Sequence, residues 1–304
     1  MPDVRRYRIG GFTLTVTSPA APLIDERNPE YLPFLAPHRD CNGSGGGSDI
    51  AVEARLGEPS LPAGACPLME GGEAWAAFER DGALFIAPHV EPPAPRPEWL
   101  AEVHPGRRRV TLCCGEALLT GAGDERRLAA PFHYPLDQIL LSLVLAGEAL
   151  IVHAAGVDVN GRGVLLAGAS GAGKTTIAGI CAAAGHAVLS DDRVLVRHSP
   201  GEWTLHGTPW PGEGRFAENR GVPLSAVAFL AQGGANLLAP LPPRALARRL
   251  LPLATVPWFD TAARERSLDL LAALATAVPV FEFTFRPDPG AARVLAAAIP
   301  PATG

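Results

Sequence analysis

Residues 168–176 read GASGAGKTT and directly follow the apolar run GVLL, and this stretch decides the expected fold. Gly168, Gly173, Lys174 and Thr175 fit the pattern G-x-x-x-x-G-K-[ST] without a gap. Glycines let the backbone turn sharply so that several N–H groups face one anion, and the following helix adds its positive end. Lys174 supplies a mobile positive charge for the β- and γ-phosphates, and Thr175 supplies a hydroxyl for Mg²⁺. The predicted nucleotide-binding residues are Gly168, Ala169, Ser170, Gly171, Ala172, Gly173, Lys174, Thr175 and Thr176.

A second motif, AVLSDD at residues 187–192, is a predicted apolar strand that ends in two aspartates. Sixteen residues separate Lys174 from Asp191, which leaves room for one helix and one strand. Acids at the carboxyl end of such a strand are expected beside the glycine-rich turn. Two adjacent acids can divide the work, because one can hold Mg²⁺ while the other accepts a proton from an attacking hydroxyl. The plainer alternative is a surface turn in which they pair with Arg193.

The pattern of the remaining chain predicts two parts. Residues 1–130 carry short strand-like segments among many glycines and prolines, which indicates a β-rich N-terminal domain of unknown role. Residues 131–304 mix predicted helices with predicted strands, including a hairpin through Asn160-Gly161 and a helix that Gly185 ends. The expected fold class is therefore α/β, with a phosphate-loop (P-loop) domain over 131–304.

Composition and charge exclude several classes of protein. The 304 residues are 47% hydrophobic and 19% charged, which is typical of a globular protein, and a net charge of −5 gives no reason to expect nucleic acid. No apolar stretch reaches the 18 residues of a membrane span and no signal peptide is recognisable, so no membrane partner and a cytoplasmic location are predicted. Without a C-x-x-C pair, the five cysteines are expected to be reduced thiols: Cys41, Cys66, Cys113, Cys114 and Cys181.

Three segments in combination resemble the kinase domain of the HPr kinase/phosphorylase family. VHAAGVDVNGRGVLLAGASGAGKTT (152–176) resembles that family's histidine-containing strand, hairpin and phosphate loop, in that order. GHAVLSDDRV (185–194) resembles its GH…ADDRV segment, and ENRGV (218–222) resembles its E-x-R-G stretch. The resemblance extends over about residues 148–225.

This resemblance implies a fold related to ATP-dependent phosphoenolpyruvate carboxykinase, and phosphoryl transfer from Mg·ATP to a serine hydroxyl. It implies that Asp191 is the general base, that Asp192 lies on the metal, and that His153 lies beside Asp191 and tunes it. It also implies that Glu218 and Arg220 frame the active site, with Glu218 as a further metal ligand and Arg220 as a substrate or supporting residue. Lys174 would be catalytic as well.

The sequence also departs from the family in ways that bear on the acceptor. Thr176 stands where the family usually has Glu, and neither the family's C-terminal segment nor its N-terminal domain is recognisable. We therefore expect a kinase that uses ATP and Mg²⁺ on a hydroxyl of a protein, peptide or small molecule other than HPr. Residues 206–214, HGTPWPGEG, are expected to form a substrate-facing loop or only a turn.

Three alternatives stay open, and each predicts a different observation. A nucleotide-sensing binding protein would bind ATP without labelling any partner. A small-molecule kinase, for an amino acid or a sugar, would consume ATP in response to a metabolite and to no peptide. A carboxykinase-like lyase would need a second metal site and several arginines for a dicarboxylate. The resembled family forms hexamers, so a homo-oligomer is possible.

Overall fold

The computed structural model describes the chain in seven segments: residues 3–19, 22–24, 29–36, 49–71, 74–88, 96–129 and 135–299. Contacts divide the chain into unit 1, residues 1–144 with 257–260, and unit 2, residues 145–256 with 261–304. The predicted boundary between 1–130 and 131–304 stays a prediction. The division by contacts places residues 136–144 in unit 1.

Strands outnumber helices among the described elements of unit 1, which confirms the β-rich N-terminal region. Eight of its strands form one sheet in the order β1-β2-β4-β9-β8-β7-β6-β5. Three short strands, β10-β11-β3, form a second sheet. The elements are β1 Asp3–Ile9, β2 Phe12–Ser18, β3 Leu23–Ile24, β4 Ile50–Leu56, β5 Cys66–Gly71, β6 Trp75–Arg80, β7 Ala83–Pro88, β8 Trp99–Val103, β9 Arg109–Cys114, β10 Leu119–Thr120, β11 Arg127–Ala129 and α1 Leu136–Val144, with 3-10 helices at Pro29–Phe34, Glu116–Leu118 and Gly123–Glu125.

Unit 2 mixes strands and helices, so the predicted α/β class is confirmed. Its elements are β12 Ala149–Val159, β13 Arg162–Ala167, α2 Lys174–Ala183, β14 Ala187–Ser190, β15 Arg193–Ser199, β16 Glu202–His206, β17 Gly221–Gln232, β18 Leu237–Leu241, α3 Arg244–Leu250, a 3-10 helix at Leu251–Leu253, α4 Thr261–Ala277, β19 Val280–Phe285 and α5 Gly290–Ala298. The long strand β17 was not predicted from the sequence, although it lies between β16 and β19 and also pairs with β13.

Strand pairing in unit 2 forms a closed circuit. β12 pairs with β13 and β15, β15 with β16, β16 with β17, and β17 returns to β13 in parallel. The predicted hairpin joins β12 to β13: Asn160 and Gly161 have φ of 55° and 80°, as the turns favoured in tight hairpins require. Asp158 accepts the N–H of Gly161 at 2.7 Å, which holds the turn closed.

Helices cover both faces of this sheet, because alternate residues of a strand point to opposite sides. On β13, Leu165 packs in the core cluster that contains residues of α3 and α4. The next residue, Leu166, packs in a second cluster with residues of α2 and α5. Each face therefore has its own apolar core, and the sheet between them is held as a rigid platform for the loops at its end.

Strand direction brings three segments to one end of this platform. β13 and β14 both run antiparallel to β12, on either side of it, so their carboxyl ends lie at the same end of the sheet. The glycine loop, residues 168–176, follows β13, and the Asp191-Asp192 pair follows β14. His153 on β12 is the register partner of Arg193, the residue after this pair.

Two further predictions concern composition. Over the residues that the structure describes, no helix is long and apolar enough to cross a membrane. Cys66, Cys113, Cys114 and Cys181 are free thiols, whereas Cys41 lies outside the described residues. Burial raises the pKa of Cys114 and Cys181 to about 12, so these two thiols are protonated at neutral pH.

Candidate functional site

The glycine loop has the backbone shape that its sequence predicts. Gly171 and Gly173 adopt positive φ angles of 79° and 96°, which only glycine adopts without strain. A side chain at Gly173 would also approach the ring of Phe285 to 2.8 Å. Gly173 directly precedes α2, so the positive end of this helix opens onto the loop.

Lys174 is held inside the glycine loop. Its ammonium donates to the carbonyls of Gly168 at 3.0 Å and Ala169 at 3.2 Å, and only 7% of the residue is exposed. Burial lowers the pKa of Lys174, while the negative charge of Asp192 opposes that shift. On the outer side of the loop, Gln232 at the end of β17 donates to the carbonyl of Gly171 at 3.1 Å.

Asp191 is a buried anchor beneath the loop. It is 1% exposed, and its carboxylate accepts the backbone N–H of Gly212 at 2.9 Å and of Gly214 at 2.8 Å. The hydroxyl of Thr175 donates to the same carboxylate at 3.2 Å. One side chain thus joins the first turn of α2 to the segment 212–214. Three donors satisfy a carboxylate that burial would otherwise make costly.

Asp192 faces the other way and pairs with a histidine. Nε2 of His153 lies 2.8 Å from Oδ1 of Asp192, and the carboxylate is 32% exposed. Burial acts to raise the pKa of Asp192, but the hydrogen bond from His153 and the charges of His153, Arg193 and Lys174 outweigh it. The net effect is a pKa below the usual value, so Asp192 is ionised at neutral pH.

These groups surround an open cleft of about 490 Å³. Most of its wall comes from the glycine loop, and the remainder comes from β12, the bend after β14 and the segment between β16 and β17. The lining residues are His153, Ser170, Gly171, Gly173, Lys174, Thr175, Thr176, Asp192, Gly212 and Glu213. Most of the predicted site residues therefore line this cleft. The other loop residues are next to it: Gly168 and Ala169 accept hydrogen bonds from Lys174, and Ala172 packs against Gly168.

Two implications of the family resemblance require correction. His153 was expected beside Asp191, but its hydrogen bond goes to Asp192, because Asp191 is turned inward onto Thr175 and the glycine amides. Glu218 was expected on the metal, but it is half exposed, lies 3.5 Å from Arg220, and is not among the residues that line the cleft.

Arg220 has a different environment from the predicted one. It is absent from the cleft lining, and its guanidinium lies 2.9 Å from the carboxylate of Asp158, the residue that closes the Asn160-Gly161 turn. These contacts place Arg220 just before β17, beside the β12–β13 hairpin, and its role as a substrate or supporting residue stays a prediction.

Sequence reasoning missed the three residues Gly212, Glu213 and Gly214, which belong to the segment left open as a loop or a turn. A Cβ at Gly212 or Gly214 would approach Oδ2 of Asp191 to 2.9 Å and 2.8 Å. Two glycines separated by one residue are typical of a backbone that approaches another group closely. That spacing was the signal in the sequence.

Comparison with known proteins supports the resemblance over part of the chain. HPr kinase/phosphorylase of Streptococcus uberis is 35% identical over 116 residues, which cover 38% of this chain and 35% of that protein. The same enzyme of Streptococcus thermophilus is 34% identical over 116 residues, with the same coverage. The chain thus spans about a third of the length of these curated relatives. The predicted similarity to HPr kinase/phosphorylase is confirmed for this part.

A family model also matches part of the chain. Residues 136–284 match the family described as ScmC: SynChlorMet cassette protein ScmC, which covers just under half of the chain. Among solved structures, the HPr(Ser) kinase/phosphatase of Coxiella burnetii covers 49% of this chain and 95% of its own, at 13% identity and a TM-score of 0.31. That score is too low for a conclusion about the fold.

Proposed function

We propose that unit 2 is an ATP-dependent phosphotransferase that acts on a hydroxyl group. One observation carries the proposal: Lys174 and the Asp192–His153 pair line the same cleft, and Thr175 in that cleft is bound to Asp191. The similarity to HPr kinase/phosphorylase over 116 residues supports it.

In this proposal the glycine loop is a P-loop that binds the phosphates of ATP. The helix end at Gly173 and the loop amides supply partial positive charge, and Lys174 supplies a full one. The Lys174 ammonium is bonded to two carbonyls of its own loop, and it would exchange them for phosphate oxygens. Because charged acceptors form stronger hydrogen bonds than neutral carbonyls, that exchange favours binding.

The residues at the loop also fit Mg²⁺. The hydroxyl of Thr175 donates its hydrogen bond to Asp191, so the lone pairs of the hydroxyl oxygen are free for a cation. Asp191 already accepts three hydrogen bonds, so we place it behind Thr175 as an orienting group. Mg²⁺ would neutralise phosphate charge in the cleft. No described cluster of three His, Cys, Asp or Glu residues could hold a metal alone, so the phosphates would supply further ligands.

Asp192, rather than Asp191, is then the general base. Asp192 is ionised and lines the cleft; its Oδ1 is bonded to His153, and its Oδ2 lies 3.8 Å from Nε of Arg193, beyond hydrogen-bond distance, so Oδ2 can accept a proton. Asp191 is buried, and its oxygens are occupied by donors that hold the fold together. The resemblance implied Asp191 as the base and Asp192 on the metal; the contacts instead favour Asp192 as the base and Asp191 as an anchor behind Thr175.

The reaction follows from these positions. Asp192 removes the proton of the acceptor hydroxyl while the acceptor's oxygen forms a bond to the γ-phosphorus of ATP. The bond between the γ-phosphorus and the oxygen that bridges to the β-phosphate breaks, and ADP is released. His153 donates to Asp192 and so keeps the carboxylate oriented and ionised. Positioning and charge neutralisation supply most of the rate enhancement, because the protein forms no covalent bond to the phosphoryl group.

Transfer of ³²P from γ-labelled ATP to a peptide library, and separately to a panel of small alcohols and amino acids, tests the proposal. Lys174→Ala is the blank. We expect Asp192→Asn to lower transfer by about 10²–10⁴-fold, the usual contribution of a general base, while ATP still binds. Mass spectrometry identifies the labelled species.

The outcomes separate the alternatives. Transfer that survives Asp192→Asn but not Asp191→Asn, with both proteins folded and binding ATP, would restore Asp191 as the base. ATP binding by calorimetry with no labelled product from either set would favour a nucleotide-sensing protein instead. Labelling of the peptide library or of the small-molecule panel shows whether the acceptor is a peptide or a small molecule. HPr is tested as a further acceptor in the same assay.

A further inference from the structure

Glu213 is an acid in the cleft that has no partner among the described residues. The other titratable side chains of the lining are engaged: His153 with Asp192, and Lys174 with two loop carbonyls. Glu213 is exposed, and within the described part of the chain its carboxylate has no hydrogen bond or ion pair. A polar group left open inside a binding cleft is available to a ligand.

The backbone around Glu213 directs its side chain into the cleft. The amides of Gly212 and Gly214 are both bonded to Asp191, and neither position has room for a side chain on that side. The residue between them is therefore the one whose side chain points away from Asp191. Upstream, Thr208 donates to the carbonyl of Arg193 and Trp210 is buried, so the segment is anchored before it reaches Gly212.

The charge of Glu213 is unfavourable beside a bound polyphosphate. Lys174 and a cation on Thr175 would balance the phosphates, and Asp192 already has His153, so no protein cation is assigned to Glu213. Like charges in a partly desolvated cleft repel, and a positive group on the second substrate would remove this cost.

A role as a ligand of Mg²⁺ is the alternative for Glu213, and the Mg²⁺ requirement of Glu213→Gln tests it. Among the described residues, no three His, Cys, Asp or Glu side chains form a metal-binding cluster. Glu213 lines the cleft, and Asp191 holds the amides of the residues on either side of it. Glu213 therefore belongs to the wall of the cleft that an acceptor would meet.

We infer that Glu213 selects an acceptor that carries a positive charge near its hydroxyl, an amine or a guanidinium. This inference rests on the proposed phosphotransferase. The same chemistry is available from a basic residue beside a serine in a peptide and from the free amino group of a small amino alcohol, and the experiment distinguishes these two sources.

The test uses the full chain and compares acceptors with and without a positive charge near the hydroxyl. One arm compares serine peptides flanked by lysine, alanine or glutamate; the other compares serine with N-acetylserine, and ethanolamine with glycerol. We expect kcat/KM of wild type to favour the cationic members of one arm by about tenfold or more, as a close charge pair can supply. Glu213→Gln should reduce this preference to within about twofold and Glu213→Lys should invert it.

Controls separate this inference from the proposed function. Glu265→Gln removes an exposed acid on α4, outside the cleft, and should change neither preference nor rate. If wild type transfers phosphate and Glu213→Gln keeps the same charge preference, the inference is overturned and the proposed function stands. The same conclusion follows if Glu213→Gln needs more Mg²⁺ but its charge preference is unchanged. ATP binding without transfer to any acceptor in either arm overturns both.

Discussion

Replacing Asp191 by asparagine should destabilise unit 2 far more than the same change at Asp192. The Asp191 carboxylate accepts three hydrogen bonds while it is 1% exposed, and an amide has only one oxygen to accept them. At least one buried N–H would face the new NH₂ group without an acceptor. A hydrogen bond to a charged group contributes roughly 1.5–3 kcal/mol and a buried unsatisfied amide costs roughly 1–3 kcal/mol, so the expected loss is about 3 kcal/mol.

Asp192→Asn is the matched control. Its carboxylate is about one-third exposed, and an asparagine oxygen can still accept from His153, so the expected loss is below about 1 kcal/mol. For a unit of this size, a loss of 1 kcal/mol lowers Tm by about 2–4 °C, which predicts a drop of about 6–12 °C for Asp191→Asn and of less than about 4 °C for Asp192→Asn.

Differential scanning calorimetry measures both values, and the transition that Mg·ATP raises is assigned to unit 2. Circular dichroism before heating checks that each variant is folded. Equal shifts for the two variants, or a drop below about 2 °C for Asp191→Asn, would refute the view that Asp191 is an anchor. The assignment of the base to Asp192 rather than Asp191 would then lose its main support.

Three further changes test other parts of the site. His153→Ala removes the hydrogen bond that lowers the pKa of Asp192, so this pKa should rise and the acidic limb of the profile of kcat/KM against pH should move to higher pH. An acidic limb that does not move would contradict the pairing of His153 with Asp192. Lys174→Ala should raise the Kd for ATP at least about tenfold in calorimetry, because a buried cation at the loop is lost. Gly173→Ala should lower stability by roughly 1–2 kcal/mol in urea unfolding from its positive φ alone, whereas Gly179→Ala, with open space around it, is the harmless control.

Local signals in the sequence predicted much of the site. The hairpin at Asn160-Gly161, the glycine loop and the end of α2 each depend on residues adjacent in the chain, and the structure has all three. The convergence of the loop with the Asp191-Asp192 pair could also be predicted, because two parallel strand ends lie at one edge of a sheet. Predictions of this kind succeed where one short segment determines its own geometry.

The rest depended on contacts between distant residues. Asp191 and Asp192 lie in the bend between β14 and β15, and the sequence gives no sign of which of them faces the cleft. That choice is made by Gly212 and Gly214, more than 20 residues further on, which bind one acid and leave the other to His153. β17 was missed for a similar reason, since it pairs with three other strands, β13, β16 and β19, and its own apolar run is ambiguous.

The glycines on either side of Glu213 have a practical consequence for anyone who wishes to redirect the protein to new acceptors. Mutagenesis libraries that vary the whole 212–214 segment would mostly yield unfolded proteins, because the two outer positions admit no side chain. A library confined to position 213 changes one projecting group on a fixed backbone, so substrate preference can be altered while the chemistry behind it stays in place.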